Sequence, residues 1–90
     1  MIKITQNQLE VLRSIENDQK KGAKWSVIDF CGFNNATIHG LVKRELIFKT
    51  VREDRADPSI VFNVARLTDF GKQALKENKS EYPPARRSSN

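Results

Sequence analysis

Apolar residues first recur at helical spacing: Leu9, Leu12 and Ile15, with Val11 beside them, oppose Glu10, Arg13, Ser14 and Asn17. That pattern predicts an amphipathic helix over about residues 6–19. Thr5 and Gln8 stand in the T-x-x-Q spacing of a capping box, and the polar run "DQKKGAK", with Gly22, marks the end. Two shorter helical patterns follow in "SVIDFCGFNNATIHGLVK". One is expected from about Ser26 to Cys31, and the next from Asn34 or Asn35, either of which can cap it. Gly32 turns the chain between them and Phe33 packs inward. Two helices joined by about four residues with a glycine is the signature of a helix-turn-helix.

After Leu46 the period changes to two. "LIFKTVR" and "IVFNVARL" are rich in β-branched and aromatic residues, and "EDRADPS" between them reads as a loop, so a hairpin is predicted. "LTDFGKQALKEN" returns to helical spacing, with Thr68 as cap, Asp69 at the positive helix end, and Phe70, Ala74 and Leu75 inward. The remainder, "KSEYPPARRSSN", has no periodicity and is expected to be a flexible tail over residues 79–90, leaving one domain over 1–78. The predicted order is helix, helix, helix, strand, strand, helix, with room for a short strand at Trp25.

The third predicted helix carries an anomaly. Gly40 lies in its middle, and Glu45 stands where a helix-ending glycine is expected. On a helical wheel Ile38, Leu41 and Val42 share the buried face, and one more turn would bury Glu45, so the helix should stop by Arg44. Ala36, Gly40 and Lys43 then face outward, flanked by His39, Thr37 and Arg44. An exposed helical glycine costs about 1 kcal/mol relative to alanine. A small-residue centre ringed by Asn, Thr, His, Lys and Arg, with no acid within 36–44, suits close approach to a DNA major groove. The bland alternative is a tolerated glycine on an idle face.

Composition narrows the class. The net charge of +5 and the pI of about 9.7 favour a polyanionic partner. The charge is spread, however: residues 1–33 carry five basic and four acidic groups, and 34–57 carry five and four. Any basic surface must be assembled by folding. No apolar run approaches the ~20 residues that span a bilayer, and the N-terminus has no apolar segment of signal-peptide length. The single cysteine, Cys31, cannot form an internal disulfide and suits a cytoplasmic setting. One histidine and one cysteine make no zinc site, and the four glycines are scattered, so neither a metal, a cofactor nor an enzyme is expected.

"ATIHGLVKRELIFK" followed by "ARLTDFGKQAL" resembles the winged helix-turn-helix DNA-binding domain of MarR-like and PadR-like transcriptional regulators. In that pattern the recognition helix runs into L-x-x-R-G-L-I, here Leu41 to Ile47, and the wing's return strand ends in Leu67-Thr68 before a helix with Gly71 in its first turn. The resemblance implies an α+β, mostly helical fold of three helices, a two-stranded β-hairpin wing and a C-terminal helix. It also implies sequence-specific binding of double-stranded DNA. Base reading falls to Asn35, Ala36, Thr37, His39, Gly40 and Lys43, with Asn34 and Arg44 on phosphates or base edges. Arg52 and Arg55 of the wing reach the backbone or minor groove, against the repulsion of Glu53, Asp54 and Asp57. Lys24, Trp25 and Ser26 are further phosphate contacts, Trp25 more readily a packing residue.

The chain departs from that pattern at Glu45, and it leaves no room for the extra helices that dimerise typical members. It is expected either to form a small homodimer face from its first and last helices, or to act as a monomer or adaptor. The diluted charge and acidic wing keep open a second function, a winged-helix module docking on a protein partner. Recognition of RNA or single strands is disfavoured, for want of the exposed aromatic platform that stacking needs.

Overall fold

The computed structural model describes residues 2–29 and 31–78; the expected tail, 79–90, lies outside them. The chain runs α1 (Gln6–Lys20), β1 (Ser26–Val27), α2 (Asn35–Lys43), β2 (Ile47–Glu53), β3 (Val61–Leu67), α3 (Asp69–Asn78). The three strands form one antiparallel sheet in the order β1-β3-β2. Among the described residues the fold is therefore a small α+β unit of three helices on a three-stranded sheet, one helix fewer than the sequence suggests, with a short strand at Ser26–Val27 beside the position allowed for one at Trp25.

α1 begins as its capping box requires. The Gln8 N–H donates to Thr5 Oγ1 at 3.1 Å and the Thr5 N–H to Gln8 Oε1 at 3.0 Å. Leu9, Val11, Leu12 and Ile15 are fully buried and form the centre of the core. Its last turn also pins the sheet. Ser26 Oγ donates to Asp18 Oδ2, and the Leu67 N–H donates to Gln19 Oε1 at 3.0 Å.

Those contacts explain why the helix expected from Ser26 to Cys31 does not form. Ser26 and Val27 pair with Ala65 and Val64, and the Ile28 N–H donates to the Asn63 carbonyl at 3.1 Å. Ser26 and Ile28 are buried while Val27 is exposed, an alternation that six residues express as readily as a helical face. The competing element wins because β3 would otherwise present an open edge with unpaired backbone groups. A turn containing Asp29, Cys31 and Gly32, the last at φ +71°, then leads into α2.

α2 starts at Asn34, whose Oδ1 accepts from the Ala36 N–H at 2.7 Å, and ends in a Schellman closure. The Leu46 N–H donates to the Leu41 carbonyl at 2.9 Å and the Glu45 N–H to the Val42 carbonyl at 3.0 Å. Glu45 occupies the left-handed position at φ +60°, where glycine is usual. Leu41 and Leu46, the residues at the two ends of the closure, are both buried in the core, the positions where this motif places its hydrophobic pair. Glu45 is thus a helix terminator in glycine's geometry, and its side chain is exposed.

The same corner receives α3. The Thr68 N–H donates to the Leu46 carbonyl at 3.2 Å, Thr68 Oγ1 donates to the Glu45 carbonyl at 2.6 Å, and that hydroxyl accepts from the Gly71 N–H at 2.9 Å. A Cβ on Gly71 would lie 2.0 Å from the Leu46 carbonyl oxygen. Gly71 is therefore required by close backbone approach. Ala74 and Leu75 face inward as expected, whereas Phe70 is 57% exposed, because the Gly71 contact turns the first helical turn's other side to solvent. At its far end α3 holds the N-terminal segment: the buried Asn78 Nδ2 donates to the Ile2 and Ala74 carbonyls, and the Ile2 N–H donates to Glu77.

Candidate nucleic-acid interface

α2 is anchored by Ile38 and Leu41, its two buried side chains. The exposed arc opposite them consists of Asn35, Ala36, His39, Val42 and Lys43, so its centre is His39 rather than Gly40. Val42 is 36% exposed instead of sharing the buried face. The helix is rolled toward α1 because the Thr5 cap brings Gln8 against it. A Cβ on Gly40 would meet Gln8 Nε2 at 3.4 Å, and Thr37 is half-buried in a shallow pocket with Asn7, Glu10 and Val11 of α1. Gly40 and Thr37 therefore flank the helix–helix contact and lie off the centre of the outward surface.

Two other expected contacts carry structural duties. Arg44, though exposed, donates to Gln8 Oε1 at 3.1 Å and to the Lys3 carbonyl, tying the end of α2 to the start of α1. Asn34 spends its oxygen on the helix cap. Ser26 is 1% exposed and bonded to Asp18, which removes it from any surface.

The arc gains residues that the sequence did not single out. Asn35, His39 and Val42 border a depression of about 330 Å³ whose far wall is Lys49 of β2. Register reveals this: Lys49 pairs with the core residue Ala65, so both point to the side of the sheet where α2 packs. Asp29 lies near enough to feel Lys49. Its carboxyl is held below its ordinary value chiefly by the Asn63 side-chain amide, then by the Asn63 N–H, with Lys49 adding to both.

Lys24, Arg52 and Arg55 come together elsewhere. They border a trough of about 480 Å³ with Trp25 and Phe62, and the register sends Arg52 to the face opposite Lys49. The hairpin loop between Arg52 and Ile60 is shaped by its acids. Asp54 accepts from the Ala56 N–H at 2.7 Å, and Asp57 accepts from the Ser59 hydroxyl at 2.6 Å and its N–H at 3.1 Å. The Ser59 hydroxyl first, and its N–H second, keep the Asp57 carboxyl below its ordinary value, so the tip stays ionised.

Among the described residues no helix is long and apolar enough to cross a membrane, and no cluster of three His, Cys, Asp or Glu side chains could hold a metal ion. No known protein family, curated protein or solved structure matches the chain significantly.

Proposed function

We propose that this protein binds double-stranded DNA by laying the exposed arc of α2 into the major groove, as a small winged-helix regulator of transcription in which the first helix of the helix-turn-helix is reduced to a turn. The observation that carries the reading is the composition of that arc: Asn35, Ala36, His39 and Lys43 offer amide, imidazole and ammonium donors with no acidic side chain among them. Lys49 adds a cation beside it. The arc sits on a short helix fixed at both ends, by the Asn34 cap and the Glu45 closure, which suits base reading by a rigid element. The order α1-β1-α2-β2-β3 is compatible with a winged-helix-like layout that has one helix fewer between β1 and β2. The wing adds little, since Arg52 points away from α2 and the ionised tip repels phosphate.

Binding to a random duplex library, measured by anisotropy at low salt, tests this. His39→Ala and Lys43→Ala should weaken binding with the fold intact, and Lys43→Ala should lower the salt slope by about one unit. Unchanged affinity in both variants refutes α2 as the reader. A protein-docking role is the second reading, favoured by the groove of about 590 Å³ in which Val42, Phe48 and Phe70 stand exposed. Absence of duplex binding even at low salt selects it.

A further inference from the structure

The face of the sheet turned away from the core has a composition of its own. Ile47, Ala65 and Leu67 belong to the core, and side chains alternate along a strand. Phe48, Thr50 and Arg52 of β2, with Phe62, Val64 and Arg66 of β3, therefore lie on the opposite face, where Val64 is covered, Phe62 and the nearby Trp25 are half-buried, and Phe48, Thr50, Arg52 and Arg66 are exposed. The register sets Phe48 across from Arg66, Thr50 across from Val64, and Arg52 across from Phe62. Val27 continues the Val64 row in β1, and Trp25 closes the Arg66 row, with the guanidinium carbon 5.5 Å from the indole centroid. Aromatic rings and guanidinium groups thus interleave in two of the three rows. Phe48 is 57% exposed.

This chemistry selects its occupant. A ring or guanidinium plane at the surface accepts a planar base by stacking, and arginine beside it pairs with phosphate. A duplex hides the faces of its bases, whereas a single strand offers them. A second copy of the chain fits poorly: a two-fold contact buries two copies of the same patch, whose Arg52 and Arg66 find no acid among the outward strand residues of either copy to pair with. Glu53 and Asp54 border only the hairpin end of the trough, where Lys24 and Arg55 also stand.

We propose that the outer face of the sheet binds single-stranded nucleic acid, with Trp25, Phe48 and Phe62 stacking on bases and Arg52 and Arg66 engaging phosphates. The site lies on the opposite side of the sheet from α2 and does not rest on the duplex-binding reading.

Trp25 is the sole tryptophan, so intrinsic fluorescence reports on the platform directly. The whole chain is titrated at low salt with 12-nucleotide deoxythymidine and uridine oligomers, and with a 12-base-pair duplex. Saturable quenching by the single strands, weakening as salt rises, and none by the duplex is the expected result. Phe48→Ala should weaken single-strand binding about 5- to 150-fold with an unchanged melting temperature. Arg52→Ala should reduce the salt slope by about 0.7. The double variant His39→Ala, Lys43→Ala should bind single strands as the parent does, whatever becomes of duplex binding. No quenching at low salt, equal quenching by the duplex, or undiminished affinity in both Phe48→Ala and Arg52→Ala overturns the proposal. So does a concentration-dependent dimer abolished by Phe48→Ala, which would assign the face to a second copy.

Discussion

Replacing Gly71 by alanine sets two effects of opposite sign against each other. As a helical residue, alanine is favoured over glycine by about 1 kcal/mol. As a neighbour of Leu46, its Cβ would stand 2.0 Å from the carbonyl oxygen and 3.1 Å from the carbonyl carbon. An ordinary C···O approach is about 3.3 Å, so the start of α3 must retreat by about 1.3 Å. That displacement opens the Thr68 N–H bond to Leu46 and the Thr68 hydroxyl bond to Glu45, each worth about 1 kcal/mol. Repacking around Ala74 and Leu75 adds about 1–3 kcal/mol. The net loss is about 2–4 kcal/mol after the propensity gain. For a domain of this size that lowers Tm by roughly 10–30 °C. Thermal and urea unfolding followed by circular dichroism measure it. Gly40→Ala is the matched control, since its Cβ finds only Gln8 Nε2 at 3.4 Å; there the propensity term stands nearly alone and stability should rise by up to about 1 kcal/mol. Gly71→Ala as stable as the parent would refute the close-approach argument, whatever the control does.

Glu45→Gly relieves a left-handed backbone at φ +60° and should stabilise by about 1 kcal/mol, the strain removed exceeding the added freedom of the unfolded chain; a lower urea midpoint would contradict the Schellman assignment. Asn34→Ala removes the cap on Ala36 and should cost about 1 kcal/mol, with early amide exchange in α2 as the local readout. Acid unfolding has an assignable contribution from Glu77. Gln73 first, and the Ile2 N–H second, hold its carboxyl below the ordinary value. A depressed carboxylate adds stability above the pH at which the unfolded side chain titrates, and loses it as pH falls through the folded pKa. Glu77→Gln should accordingly flatten the acid limb of the Tm–pH curve, and an unaltered slope would show that this carboxylate is not linked to folding.

The elements legible in the amino-acid order are those whose signals are local. The Thr5–Gln8 capping box, the Leu9–Ile15 stripe and the Thr68 cap involve partners within a few residues of one another, and each hairpin strand carries its own period, so periodicity and side-chain chemistry suffice to place them. The segment from Ser26 to Cys31 suits either period in the sequence; Asp18 and the open edge of β3, distant in the chain, decide for a strand at Ser26–Val27. Helical spacing points Phe70 and Val42 inward, but the roll of each helix is set by a contact outside it. For α3 that contact is Gly71 on Leu46, and for α2 it is Gln8 beside Gly40.

The candidate surfaces divide in the same way. The absence of acidic groups from residues 35–43 is a property of the sequence, and so is the replacement of glycine by Glu45. Which of those residues face solvent, and that Arg44 is occupied by Gln8 and Lys3, depends on how α1 and α2 meet. The outward sheet face is wholly tertiary. Trp25, Phe48 and Phe62 are far apart along the chain and come to share one face only when antiparallel register brings the strands side by side. Local sequence encodes the period of an element, but its roll, its register and therefore its exposed chemistry are set by packing between distant segments.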